Sequence, residues 1–166
     1  MSERREPGGS VRPLTALGFA TASFVALLIF GLGMVSLALS EDVIATPGLG
    51  QVPGILATVS ATVGFAGALW ASIRRKRRDE TYQPSFWGAA WTAATSYVVY
   101  VAAIFVGAVA TGADLAVAAS VAGRIATTWF GVVVAAAALI AAWGGIALVR
   151  TRAQRPRWPW EDEFDE

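Results

Sequence analysis

Residues 74–80 read Arg74-Arg75-Lys76-Arg77-Arg78-Asp79-Glu80 and interrupt an otherwise strongly apolar chain near its middle. Five adjacent cations cannot sit in hydrocarbon, so the chain must leave the membrane at this point. Lys and Arg are enriched in cytoplasmic loops, which predicts that this loop is cytoplasmic. The rest of the sequence then divides into two helical hairpins, one before the block and one after it.

Composition agrees with a membrane class. The 166 residues are 55% hydrophobic and 15% charged, with a mean hydropathy of +0.55, whereas soluble domains run at about 25% charged. The net charge of +1 is uninformative because the charges are segregated. With no cysteine, disulfides, thiolate metal sites and thiol catalysis are excluded. With no histidine, the commonest metal ligand and the usual general base are missing too. No cofactor is expected.

Toward the N-terminus, residues 1–12 are polar, with Arg4, Arg5 and Arg12 against Glu3 and Glu6, and read as a disordered cytoplasmic lead. Pro13 suits the first turn of a helix. Residues 14–39 carry no charge, and at 1.5 Å per residue they reach about 39 Å, enough to cross a bilayer with tilt. The rival is a cleaved signal peptide ending near Ala38-Leu39-Ser40. A signal core runs to about 7–15 residues, which favours a retained helix. Residues 40–52 hold Glu41, Asp42, Pro47, Gly48 and Gly50, a short extracytoplasmic loop. The second span covers 53–73, with Trp70 at the interface one turn before the arginines.

Beyond the basic block, Tyr82, Phe86, Trp87 and Trp91 mark the start of a third span, roughly 85–111. The apolar run from Leu115 to Val149 is too long for one crossing, and Arg124 divides it. A charge at the bilayer centre costs about 3 kcal/mol or more, so Arg124 belongs at the outer boundary. Residues 113–123 become a short extracytoplasmic or interfacial helix, and the fourth span is about 125–149. Arg150, Arg152, Arg155 and Arg157 then end it in the cytoplasm. The predicted fold is an all-α, four-span bundle (residues 13–149) with both termini cytoplasmic. Aligning Trp70 with Trp143 also aligns Ser23-Phe24-Val25 with Ser96-Tyr97-Val98, but identity is hardly above chance, so no duplication is inferred.

Chemistry-bearing residues are scarce. The predicted spans contain no Asp, Glu, Lys or His at depth, and Ser or Thr has no base to activate it, so an enzyme is not expected. The most polar face in a span is Thr92, Ser96 and Tyr100 at four-residue spacing, with Thr95 beside them. Such hydroxyls either bond the carbonyl one turn back or line a polar path in an oligomer, which Thr127 and Thr128 would face. Small residues recur at the same spacing: Ser60, Gly64, Ala68 and Ser72 on the second span, Ala103, Gly107 and Thr111 on the third, and Ala137, Ala141 and Gly145 on the fourth. Stripes of this kind let helix backbones approach closely, which predicts the internal seams of the bundle.

The block Arg74, Arg75, Lys76, Arg77 and Arg78 is expected to anchor topology and attract anionic lipid headgroups. Nucleic-acid binding is not expected from so short a loop at a membrane. The tail 150–166 turns from basic to Trp158-Pro159-Trp160 and then to acids around Phe164. It reads as a solvated tail or, alternatively, as a docking peptide for a partner, with Trp158, Trp160 and Phe164 as anchors.

In its Ala/Val/Arg-rich, Lys-poor composition and four-span plan, the chain resembles small uncharacterised inner-membrane proteins, of the domain-of-unknown-function type, from high-GC Gram-positive bacteria. That resemblance implies a bacterial plasma membrane location. The expected function is a non-enzymatic accessory or scaffold subunit, bound to another membrane protein or to itself. The alternative is a small oligomeric channel or transporter whose path runs along the hydroxyls of the third span.

Overall fold

In hydrocarbon every backbone N–H and C=O must be satisfied within the protein, and long apolar segments meet that demand as helices. The computed structural model describes residues 12–44, 49–75 and 86–150, and they form five helices. These are α1 (Pro13–Leu39), α2 (Val52–Arg75), α3 (Phe86–Ala110), α4 (Leu115–Thr127) and α5 (Trp129–Arg150). All but α4 are long and apolar enough to cross a membrane. Among the described residues there is no strand. The N-terminal lead up to residue 11, residues 76–85 with most of the basic block, and the tail with Trp158, Trp160 and Phe164 lie outside the described residues.

Local chemistry sets the helix ends. Pro13 opens α1 in its first turn, where a missing N–H costs nothing. At the other end Ser40 takes a left-handed conformation (φ 51°), and the N–H groups of Ser40 and Glu41 bond the carbonyls of Leu37 and Ser36. Gly112, at φ 89°, ends α3 in the same way, with Ala113 N–H bonded to the Ala108 carbonyl. Helix α4 runs on past Arg124 to Thr127, beyond the boundary expected from charge alone. The break falls at Thr128, whose backbone is extended (φ −105°, ψ 176°). Its carbonyl then accepts the N–H of Gly131 as α5 begins.

The four long helices form a ring in the order α1, α2, α3, α5, each antiparallel to its neighbours, with α4 laid against α3 and α5. The most extensive contacts are α2 on α3 and α1 on α5, not the α1–α2 pair that chain order suggests. Glycines explain the difference. On the α2–α3 seam, a β-carbon on Gly64 would lie 3.3 Å from Val99, and one on Gly107 would lie 2.8 Å from the Pro53 backbone. On the α1–α5 seam, one on Gly31 would lie 2.6 Å from Val133, and one on Gly145 would lie 2.7 Å from Ala20. Close backbone approach is the main source of helix cohesion in lipid, where apolar transfer offers little. Helix α1 meets α2 instead through Phe24 and Phe65, both fully buried and stacked with centroids 4.5 Å apart. Two rings between the axes hold those helices apart and leave open space on either side.

Candidate functional site

The hydroxyl face of α3 splits into two environments. Thr92 and Ser96 are fully buried inside the ring. Each donates to the carbonyl one turn back, Thr92 to Gly88 at 2.9 Å and Ser96 to Thr92 at 2.8 Å. Their hydrogen-bonding capacity is met within their own helix, as is usual for Ser and Thr in helices. Thr95 is half-buried beside them. Tyr97, off this face, donates to the Ala126 carbonyl at 2.8 Å and pins the end of α4 to α3. Thr127 donates to the Gly123 carbonyl at 2.9 Å. The Thr128 hydroxyl oxygen, at the α4–α5 break, is buried with no hydrogen-bond partner among the described residues.

Tyr100 is the member of the face with a different neighbourhood. It lines a lateral groove of about 770 Å³ between α1 and α2, at the end of the bundle bearing Glu41 and Asp42. Ile29, Leu32, Ile55 and Val59 supply its apolar walls, and Ser36, Asp42 and Gln51 line it toward the loop. A second groove, lined by Leu14, Gly18, Ala22 and Ala66, lies on the other side of the Phe24–Phe65 stack. The groove with Tyr100 opens sideways between two spans rather than along the axis of the ring. Four-residue spacing puts Tyr100 on the hydroxyl face, but the groove carries no signal in α3, because the space arises from the aromatic stack on two other helices.

Arg124 bridges the loop end. Its Nη1 pairs with the Glu41 carboxylate at 3.6 Å, and its Nη2 donates to the carbonyls of Asp42 at 2.6 Å and Val43 at 3.3 Å. The guanidinium also stands 6.0 Å from the Phe130 ring. One residue thereby ties α4 to the α1–α2 loop beside the groove. The ion pair is substantially solvent-exposed, 34% at Arg124 and 57% at Glu41, so its worth is modest. Arg124→Gln should lower stability by at most about 1 kcal/mol yet speed amide exchange at residues 41–44. Arg124→Lys should behave alike, because an ammonium cannot make the same forked set of bonds. Unchanged exchange in both variants would mean that the loop is held by something else.

The small-residue stripes occupy the seams to different depths. Ala103, Gly107, Ala137, Ala141 and Gly145 are buried. Ser60, Gly64, Ala68 and Ser72 are half-buried, alongside a fully buried stripe of Ala57, Ala61, Phe65 and Leu69. Thr111 is exposed and bonds the Ala108 carbonyl at 2.8 Å. Of the basic block, Arg74 lies over the Trp70 ring at 4.6 Å, while Lys76, Arg77 and Arg78 fall outside the described residues. Among the described residues no group of three or more His, Cys, Asp or Glu is placed to hold a metal ion.

Comparison with known proteins returns one family match: the model of a family of unknown function, DUF6121, matches residues 12–166. No curated protein and no solved structure matches the chain.

Proposed function

We propose that this chain, which belongs to the DUF6121 family of unknown function, is a non-enzymatic accessory or scaffold subunit of a plasma-membrane complex. The observation that carries the reading is the burial of Thr92 and Ser96 inside a single chain, with both hydroxyls bonded within α3. A path-lining face would be turned toward a shared axis and hydrated, so this arrangement disfavours the channel alternative. The sequence adds that the spans hold no carboxylate, amine or imidazole at depth for coupling, or for catalysis. What remains for function is surface. Trp87, Trp91, Phe86, Trp129 and Trp143 all project outward. The stretch Trp158-Pro159-Trp160 with Phe164 offers aromatic anchors to a partner.

The charge distribution supports both termini in the cytoplasm. Three arginines precede α1, five cations occupy residues 74–78 and four arginines follow Val149, leaving Arg124 alone at the other face. The five-cation block would also recruit anionic lipid headgroups, at about 1 kcal/mol per basic residue near the surface. A reporter active only in the cytoplasm, fused after Glu166, should work. Activity of an exported reporter at that position would reverse the topology.

The subunit reading is tested by purifying the tagged protein from its own membrane in mild detergent and identifying what accompanies it. A companion membrane protein in constant stoichiometry is the expected result. A homo-oligomer with no companion, conducting solute after reconstitution and losing flux in Ser96→Ala, would overturn it in favour of the channel.

A further inference from the structure

We infer that the lateral groove between α1 and α2 is a binding site for one chain of a membrane lipid whose headgroup carries an ammonium. The inference is independent of the subunit reading and requires only that the four apolar helices lie in a bilayer.

The groove has the size of a ligand site, about 770 Å³ against a usual range of about 300–1,000 Å³. Its polarity is graded along the helix axes. Ile29 and Val59 line it on the side of the bundle's middle, while Asp42 and Gln51 line it at the loop. From Ile29 to Ser36 the helical rise is roughly 10 Å, so an apolar chain entering from the side would leave its polar end beside the loop. Beside Ile29, Ile55 and Val59 the walls are apolar and offer water few hydrogen-bond partners. The hydroxyls of Thr58 and Ser36, which line the groove, are no obstacle, since they spend their protons on the carbonyls of Gly54 and Glu41.

Charge selects the head. Among the described residues the lining includes one acidic residue, Asp42, and no Lys or Arg. The nearby cation, Arg124, directs its Nη1 to Glu41 and its Nη2 to backbone carbonyls of Asp42 and Val43. Asp42 thus gives its carbonyl to Arg124, while its exposed carboxylate, at the loop end of the groove, has no ion-pair partner among the described residues. A headgroup ammonium complements that carboxylate, and a purely anionic head is repelled by it.

The groove exists because α1 and α2 do not close up. The Phe24–Phe65 stack props them apart, and Gly33 adds no side chain to the wall: a β-carbon there would meet nothing within 4 Å. A larger residue at Gly33 can therefore fill the groove without displacing a neighbour at its β-carbon.

The test uses the whole protein in an uncharged detergent, with lysophosphatidylethanolamine and lysophosphatidylglycerol of equal chain length as probes and native mass spectrometry as readout. The two share a chain and a phosphate and differ in the ammonium. The wild type should retain the ethanolamine form better, by up to about fivefold, the upper limit an exposed charge pair supports. Asp42→Asn should bring the ratio to about one, with total retention little changed. Gly33→Phe should lower retention of both by about tenfold, while Ala22→Phe, in the opposite groove, should leave both unchanged. Equal retention of the two probes by the wild type would overturn the headgroup assignment. Equal losses in Gly33→Phe and Ala22→Phe would reveal only a belt of surface lipid and overturn the site. Asp42 is exposed and Asn is its near-isostere, so Asp42→Asn decides the matter even if Gly33→Phe does not fold.

Discussion

Gly107→Val is expected to be among the most damaging single substitutions in the bundle, lowering stability by about 3 kcal/mol. Gly107 is buried on α3, and its missing β-carbon is replaced in space by the backbone of Pro53, 2.8 Å away, with the Pro53 side chain at 3.2 Å and Leu56 at 3.4 Å. A contact with backbone at the start of α2 cannot be relieved by turning a rotamer, so the helices must separate. Overpacking of this kind costs typically about 1–3 kcal/mol, and a backbone clash belongs at the upper end. Separation also forfeits dispersion along the α2–α3 seam, where Gly64 approaches Val99 in the same way. Gly67→Val is the control. It lies on α2, its β-carbon would meet nothing within 4 Å, and its effect should stay within about 0.5 kcal/mol. Both can be read from denaturant titration of the purified protein followed by circular dichroism. Equal effects at the two glycines would refute the close-seam account.

Phe65→Ala is expected to cost a similar amount for the opposite reason. Its ring lies against Phe24 with planes 8° apart, and both are at 0% exposure. Removing it opens a void that α1 and α2 can fill only by moving together. In soluble cores Phe→Ala costs about 3–5 kcal/mol. In a bilayer the transfer part of that cost shrinks, because lipid tails are themselves apolar, while the lost packing remains. The lower end, about 3 kcal/mol, is therefore expected. Phe24→Ala should match it, and the double variant should cost less than the sum, because the two rings share one contact. Strict additivity in that cycle would mean that the stack contributes nothing as a pair. Phe65→Leu, which keeps most of the volume, should cost under about 1.5 kcal/mol.

The spans themselves were legible in the chain. Four apolar stretches of sufficient length, separated by charge, require helices because no other open structure satisfies the backbone in lipid. Arg124 correctly signalled that the last run divides, since a guanidinium at depth is too costly. The position of the break, four residues later at Thr128, was not legible: helix propensity between Arg124 and Thr128 is unremarkable, and the extended backbone of Thr128 belongs to the packing of α4 on α3.

Other features came only from the tertiary structure. The sequence put Thr92, Ser96 and Tyr100 on one face, but a hydroxyl facing a hydrated path and one bonded to its own helix have identical spacing. Only the ring of helices shows Thr92 and Ser96 enclosed and Tyr100 against a lateral groove. The pairing of Glu41 with Arg124 joins residues far apart in the chain and carried no local signal. Phe24 and Phe65 sit on four-residue stripes, Ala16-Ala20-Phe24-Leu28-Leu32 and Ala57-Ala61-Phe65-Leu69. Exposed positions such as Phe30, Ile29 and Val63 are equally apolar. Outside a membrane, the contrast between a wet and a dry face would have revealed the inward side. Here both sides are apolar, so charge and length determined which segments cross. Which faces meet was decided by shape, glycine against backbone and ring against ring.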